Sequence, residues 1–297
     1  EKEKENFVIA PSQQVSELGY EWRAQRQERQ LGGGANLIAG EPRTAEAIYV
    51  TDYNTPAAAL WPGTGYYPFH RDKNLQEERR QLAIRMAFCV FYCVLLFFLG
   101  RFTLDNGGWL RAAGILGLLG IVCAVGHLLH RRGSRFNFTR NSASIACMLQ
   151  LASLHKERKK LAFVFLDSSG LGGWHTFRKE YPELAGTVVF LNCIAGGEKL
   201  VAAHREPAGP EVKQLLAGLK DSPLREQLID KGYDEERMTQ NALMYYPNMV
   251  CLSAGRIEKG EFVVKNTASK KDIQVNLERL SALAEALSGG YCGAHRV

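Results

Sequence analysis

From Met86 to Gly100 the chain reads MAFCVFYCVLLFFLG without one charged residue, a run that suits hydrocarbon better than a half-wetted core. Leu82 to Ile84 extend it beyond Arg85, whose long side chain can snorkel toward headgroups. A second run, Ala112 to Leu129, reads AAGILGLLGIVCAVGHLL and carries Gly114, Gly117 and Gly120, small residues that let a neighbouring helix come close. Two spans, about residues 82–100 and 112–129, predict a transmembrane helical hairpin. Core helices of a soluble protein alternate polar and apolar faces, whereas these are apolar all round. His127, near the end of the second span, reads as an interfacial residue and not as a ligand.

Arg71, Lys73, Arg79, Arg80 and Arg85 lie before or at the start of the first span, and Arg131, Arg132 and Arg135 follow the second. The turn RFTLDNGGWLR holds only Arg101 and Arg111 with Asp105. Excess positive charge marks the cytoplasmic side. The expectation is a multi-pass protein of the cell membrane, with the lipid bilayer as a partner and the soluble part in the cytoplasm. Seven cysteines, odd in number and without CxxC spacing, argue against a disulfide framework and agree with a reducing compartment. The stretch Glu1-Lys2-Glu3-Lys4 has no apolar core of a secretory signal and reads as a solvated lead-in. A net charge of +6 invites an anionic partner, but the basic residues flank the spans instead of interleaving with aromatics, so no nucleic acid is expected.

Around the hairpin, short apolar runs alternate with amphipathic stretches, which predicts an α/β fold with a mainly parallel mixed sheet flanked by helices. The expected strands are Ala47 to Thr51, Leu161 to Leu166, Thr187 to Leu191, Met249 to Ser253 and Phe262 to Lys265. The expected helices are Ser142 to His155, Pro210 to Leu219, Leu224 to Lys231 and Ile273 to Leu287. In the last, Leu277, Leu280, Leu283, Ala284 and Leu287 make one apolar stripe that Gly289-Gly290 ends. Glu17 to Leu31 reads as a charged, solvated helix. The glycine-rich SSGLGG, Ser168 to Gly173, follows a strand but has neither GxGxxG nor a GKS/T sequence, so it is not read as a phosphate cradle.

Five segments, in order, carry a resemblance. ANLIAG (Ala35 to Gly40) with AIYVTDYNTPA (Ala47 to Ala57) is similar to an N-[VI]-I-A-G lead-in and a strand ending in H-Y-D-T-P. NFTRNSASIACMLQLA (Asn137 to Ala152) resembles D-N-x-S-G at a helix start, and LAFVFLDSSGLGG (Leu161 to Gly173) resembles F-V-F-F-D-x-E-E-x-G-L-x-G-S. FLNCIAGG (Phe190 to Gly197) is similar to N-L-D-C-x-G, and KNTASKKDIQVNLERLSAL (Lys265 to Leu283) to H-T-x-x-D-T and a final helix. Together they resemble the twenty-eighth metallopeptidase family, the co-catalytic di-zinc aminopeptidases, in a bacterial branch with a membrane hairpin. The resemblance implies a zinc-exopeptidase-like fold. It divides the chain into residues 1–59 (lead-in and first part of the peptidase-like domain), 60–136 (inserted membrane hairpin) and 137–297 (the rest of the domain).

That family holds two zinc ions with two His and three carboxylates, one Asp bridging, and uses a further Glu as general base. In this chain Asp52 stands at the first His and Arg140 at the bridging Asp. Ser168 and Ser169 stand at the Glu pair, Asn192 at the third carboxylate, and Asn266 or Ala268 at the last His, with His295 the only histidine beyond. Zinc is held by thiolate, imidazole or carboxylate, and a guanidinium adds fixed positive charge where cations should sit. No metal cofactor and no catalytic residue are therefore expected. The same positions, Asp52, Asn54, Arg140, Asn141, Asp167 and Asn192, are expected to line a binding cleft. An ion pair between Asp52 and Arg140 is expected to replace the metal's structural role.

Two functions from different classes remain. One is a membrane-anchored pseudopeptidase that binds a peptide or protein, or scaffolds a complex. The other is an active metallopeptidase or other hydrolase with a non-standard site. For the second, Ser168 or Ser169 with His175 lacks a GxSxG elbow and an orienting acid, and Cys193 with His204 is conceivable, although a thiol at a strand end is more commonly a buried structural one.

Overall fold

The structure is a computed structural model that describes residues 11, 13–26, 34–53, 63–129, 137–155, 160–167, 172–239, 241–265, 267, 272 and 275–292. Its centre is a set of parallel strands in which β3 (Ala47–Asp52) lies between β5 (Leu161–Leu166) and β6 (Thr187–Leu191), and β6 pairs in turn with β9 (Met249–Glu258). Every residue of β5 and β6 is buried. A parallel strand covered on both faces reads as an unbroken apolar run, which is why LAFVFL and TVVFL carry no polar alternation.

Antiparallel strands complete the sheet. On one side β1 (Trp22–Arg26) pairs with β2 (Ala35–Ala39), and β2 with β5. On the other, β9 runs beside β7 (Lys199–Arg205) and then hairpins into β10 (Glu261–Lys265), which pairs with the two-residue β4 (Gly65–Tyr66). β8 (Leu228–Tyr233) lies parallel to β7 at the edge.

Because side chains alternate along a strand, neighbours in β3 enter different cores. Tyr49 joins Met148, Leu151, Phe163, Leu215 and Leu283 on one face, under α3 (Ala143–Leu154), α5 (Pro210–Lys220) and α7 (Leu277–Cys292). Ile48 joins Trp174, Phe177, Phe190 and Tyr246 on the other, under α4 (Gly172–Glu180). Trp174 stacks on Tyr245 with ring centroids 5.5 Å apart. Short helical pieces, α6 (Glu235–Met238) and a 3-10 turn (Ala242–Met244), precede β9.

Several expectations need correction. Leu224 to Lys231 is not a helix: residues 224–227 form a turn, and Leu228 onward is extended against β7. The apolar spacing of Leu224 and Leu228 suggested a helix, but an unpaired edge at β7 offered a full row of backbone hydrogen bonds, and the sheet took it. Glu17 to Leu31 is not one helix either. Residues 13–17 are helical, Gly19 closes them at φ 81°, and Tyr20 then enters the core ahead of β1. In α7 Leu277 is 71% exposed and outside the apolar stripe, and the helix runs through Gly289 and Gly290 to Cys292. β1, β2, β4, β7 and α4 were not anticipated as elements.

α1 (Arg71–Asp105) and α2 (Gly108–Leu129) form a hairpin that is inserted in sequence between β4 and α3. Both are long and apolar enough to cross a membrane. Their apolar windows are 0% and 6% buried, unlike a core helix of a soluble protein. Gly114 lies against Thr103 and Gly117 against Leu99, where an added Cβ would come within 2.2 Å and 2.7 Å of those side chains, whereas Gly120 meets nothing within 4 Å. The base of α1 is tied to the sheet through Lys73 and Glu261, 2.7 Å apart, and the neighbouring Phe69 is buried in the second core.

Candidate functional site: a carboxyl, a guanidinium and a tyrosine at the strand ends

Parallel strands that finish together bring the residues just past them to one edge. Here β3 ends at Asp52, β5 is followed by Asp167, and β6 is followed by Asn192 and Cys193. Asp167 is fixed from behind, its backbone N–H donating to Asn36 Oδ1 at 3.2 Å, while Asn36 Nδ2 donates to the Gly173 carbonyl at 3.0 Å. Cys193 adopts the left-handed region at φ 62°, which turns the chain while its carbonyl accepts from the Ala254 N–H at 2.8 Å.

Arg140 arrives from the other side, in a π-helical turn (Phe138–Ser142) at the start of α3. That turn is anchored at Thr139, whose N–H donates to Asp272 Oδ1 at 2.9 Å and whose hydroxyl donates to the same oxygen. Gly196 presses on Thr139 so closely that an added Cβ would lie 2.4 Å from the threonine methyl. Arg279 of α7 holds this glycine loop, donating from its two terminal nitrogens to the Gly196 and Gly197 carbonyls, each at 2.8 Å. A chain of contacts thus runs from α7 through the loop to the backbone carrying Arg140.

The expected ion pair does not form. The Arg140 guanidinium lies instead over the Tyr66 ring, 4.4 Å from its centroid, and Asp52 Oδ1 is buried with no hydrogen-bond partner. A cation over an aromatic face is attracted by the ring quadrupole, and burial of Asp52 disfavours the charged carboxylate that an ion pair would need. The fields are still felt. Burial pushes the Asp52 carboxyl from 3.8 up to about 7, Arg140 opposes that rise, and Asp167 adds to it. Burial also raises Tyr66 and Cys193, again opposed by Arg140. Asn192 Nδ2 donates to the Tyr66 hydroxyl at 3.1 Å, and the Cys193 thiol donates to Asn192 Oδ1 at 3.4 Å, so the asparagine bridges the two.

Of the residues singled out in the sequence, Asp52, Arg140, Asp167 and Asn192 stand at this edge, and Asn141 is buried next to Arg140 in the π turn. Asn54, Ser168, Ser169, Asn266, Ala268 and His295 lie outside the described residues. His175 packs against Tyr245 with ring centroids 5.4 Å apart. Cys193 and His204 are not brought together: the thiol bonds to Asn192, while His204 bonds to Asp230 at 2.8 Å and to the Arg205 carbonyl at 2.9 Å. Tyr66 and Asp272 were missed. A tyrosine in GYYPF carries no signal of its own, and the place of Tyr66 depends on the β4–β10 pairing.

The donor set does not fit a pair of zinc ions. Among the described residues no three or more His, Cys, Asp or Glu side chains gather where they could hold a metal. The thiol nearest the site is kept protonated by burial, Asp52 resists ionisation, and Arg140 is a fixed cation. A separate crevice of about 320 Å³ lies at the opposite, starting ends of β3 and β6, lined in part by Glu46, Thr187 and Glu211.

No family model and no curated protein matches the chain. Solved structures do. A glutaminyl cyclase from Tannerella forsythia superposes with a TM-score of 0.56 at 8% identity, covering 98% of this chain and 90% of that one. The fold is that of the zinc exopeptidases. A glutaminyl cyclase from Bacteroides thetaiotaomicron, solved with N-acetylhistamine, gives 0.55 at 12% identity and covers 97% and 89%. A Zn-dependent exopeptidase from Parabacteroides distasonis gives 0.52 at 10% identity and covers 96% and 88%. At such identities the likeness is one of fold, and the chemistry must be read from this chain's own residues.

Proposed function

We propose that this chain is a membrane-anchored, catalytically inactive relative of the zinc aminopeptidases, whose strand-end cleft binds a peptide or protein or scaffolds a complex. The observation that carries the reading is Arg140 seated on Tyr66 beside a partnerless Asp52 oxygen. Family hydrolysis needs metal to acidify water and a carboxylate to take its proton. A guanidinium and a carboxyl that keeps its proton to about pH 7 supply neither. The exposed apolar faces of α1 and α2, with Phe97 66% and Leu116 70% exposed, support burial of the hairpin in lipid. The flanking arginines support a cytoplasmic position for the sheet domain, and Asn141, Asp167 and Asn192 are assigned to the cleft with Asp52 and Arg140.

The test is enzymatic. Purified full-length protein in detergent is assayed on a panel of aminoacyl reporters for aminopeptidase action, and on an N-terminal glutaminyl peptide for cyclisation, with and without added zinc. Background rates are expected throughout. A turnover that chelator abolishes would revive the hydrolase alternative and sink this reading.

A further inference from the structure

The Arg140 guanidinium lies over the Tyr66 ring, its Cζ 4.4 Å from the ring centroid. Among the described residues it makes no hydrogen bond and no ion pair, although it is half-buried and two carboxyls, Asp52 and Asp167, stand near enough to feel charge at the site. Its five N–H donors are therefore left for solvent or for a ligand.

The Tyr66 hydroxyl accepts from Asn192 Nδ2 at 3.1 Å, so its own proton remains to be given. Resting on the reading of this edge as a binding cleft, we propose that Arg140 and Tyr66 form the recognition site for a ligand carboxylate, which the guanidinium grips through two parallel N–H donors and the phenol through its O–H.

A carboxylate fits better than a phosphate. Its planar oxygens match the guanidinium fork, and it brings a single negative charge. The field of Asp167, which already acts on Asp52, penalises a dianion more than a monoanion. The arginine is also pre-positioned, because Asp272, Gly196 and Arg279 fix the turn that carries it before any ligand arrives.

The experiment titrates four probes into the full chain in detergent, followed by NMR or calorimetry: acetyl-Gly-Ala with a free carboxylate, the same dipeptide as its amide, acetate, and inorganic phosphate. The free-carboxylate dipeptide is expected to bind at least about tenfold more tightly than the amide. Acetate binding alone identifies a free small carboxylate as the source, and tighter dipeptide binding identifies a peptide C-terminus. Arg140→Gln abolishes the preference over the amide. Tyr66→Phe keeps the ring under the guanidinium and loses several-fold in carboxylate affinity, which serves as the control should Arg140→Gln fail to fold. Equal binding of dipeptide and amide overturns the proposal while leaving a peptide-binding cleft intact. Phosphate binding as tight as carboxylate, or no carboxylate binding at all, overturns it as well, and the enzymatic assay above then judges the non-catalytic reading on its own.

Discussion

Asp52→Asn tests the electrostatics of the site through its effect on stability across pH. In the folded protein the Asp52 carboxyl titrates at about 7, against 3.8 for a free one. Between those values the folded state keeps a proton that the unfolded chain has released, so this residue's contribution to stability falls as pH rises through the window. Above about 7 the whole penalty is present, and below 3.8 it is absent. The displacement corresponds to about 4 kcal/mol as a ceiling, and solvent reaching a partly exposed side chain reduces it to about 1–2 kcal/mol. An amide of nearly the same shape cannot ionise. The variant should therefore be more stable than the parent at about pH 8, by roughly 1–2 kcal/mol, with the difference shrinking toward zero near pH 4. Thermal unfolding of the two proteins in the same detergent, followed by near-UV circular dichroism, measures it. The opposite trend, a variant that loses stability as pH rises, would show that Asp52 is stabilised in its charged form and refute the reasoning.

Other perturbations have definite outcomes. Arg279→Lys cannot reproduce the guanidinium fork that reaches the Gly196 and Gly197 carbonyls and Gln227, so it should cost about 2–3 kcal/mol in denaturant unfolding. Asp272→Ala removes the acceptor for Thr139 and should cost about 1–3 kcal/mol, with faster amide exchange in the π turn. Asp230 is held below the usual carboxylate range: burial opposes ionisation, but hydrogen bonds from Lys220 and His204 outweigh it. Its contribution is present above the ordinary carboxylate value and lost as pH falls through the lower folded value. Asp230→Asn should therefore destabilise by about 1 kcal/mol at neutral pH and progressively less in acid. Gly114→Leu places a side chain where Thr103 stands, and should separate α1 from α2, seen as new accessibility of Thr103→Cys to a lipid-soluble thiol reagent.

How much of this was legible in the sequence follows from burial. β5 and β6 lie at the limits read from the letters, because strands covered on both faces must be apolar at every position. Asp52, Asp167 and Asn192 were singled out through the resemblance, and each stands where a buried strand stops. The edge strands were misread or missed because they are wetted on one side. β1 is WRAQR with only Gln25 buried, and β8 is LIDKGY with only Tyr233 buried, so neither shows a strand's pattern. Their structure is imposed by β2 and β7, partners that no local window contains. The same holds at the site. A pairing of Asp52 with Arg140 follows from the resemblance, which places both at one former metal, but a short strand that closes onto β10 brings Tyr66 under the guanidinium.

Among the described residues at the strand ends a divalent cation finds no set of ligands. The most direct test is the metal content of purified full-length protein, by mass spectrometry, after incubation with zinc and exhaustive dialysis. Substoichiometric zinc, unchanged in Arg140→Gln, is expected. One or two equivalents retained per chain, and lost when Asp52 or Asp167 is replaced by alanine, would contradict it.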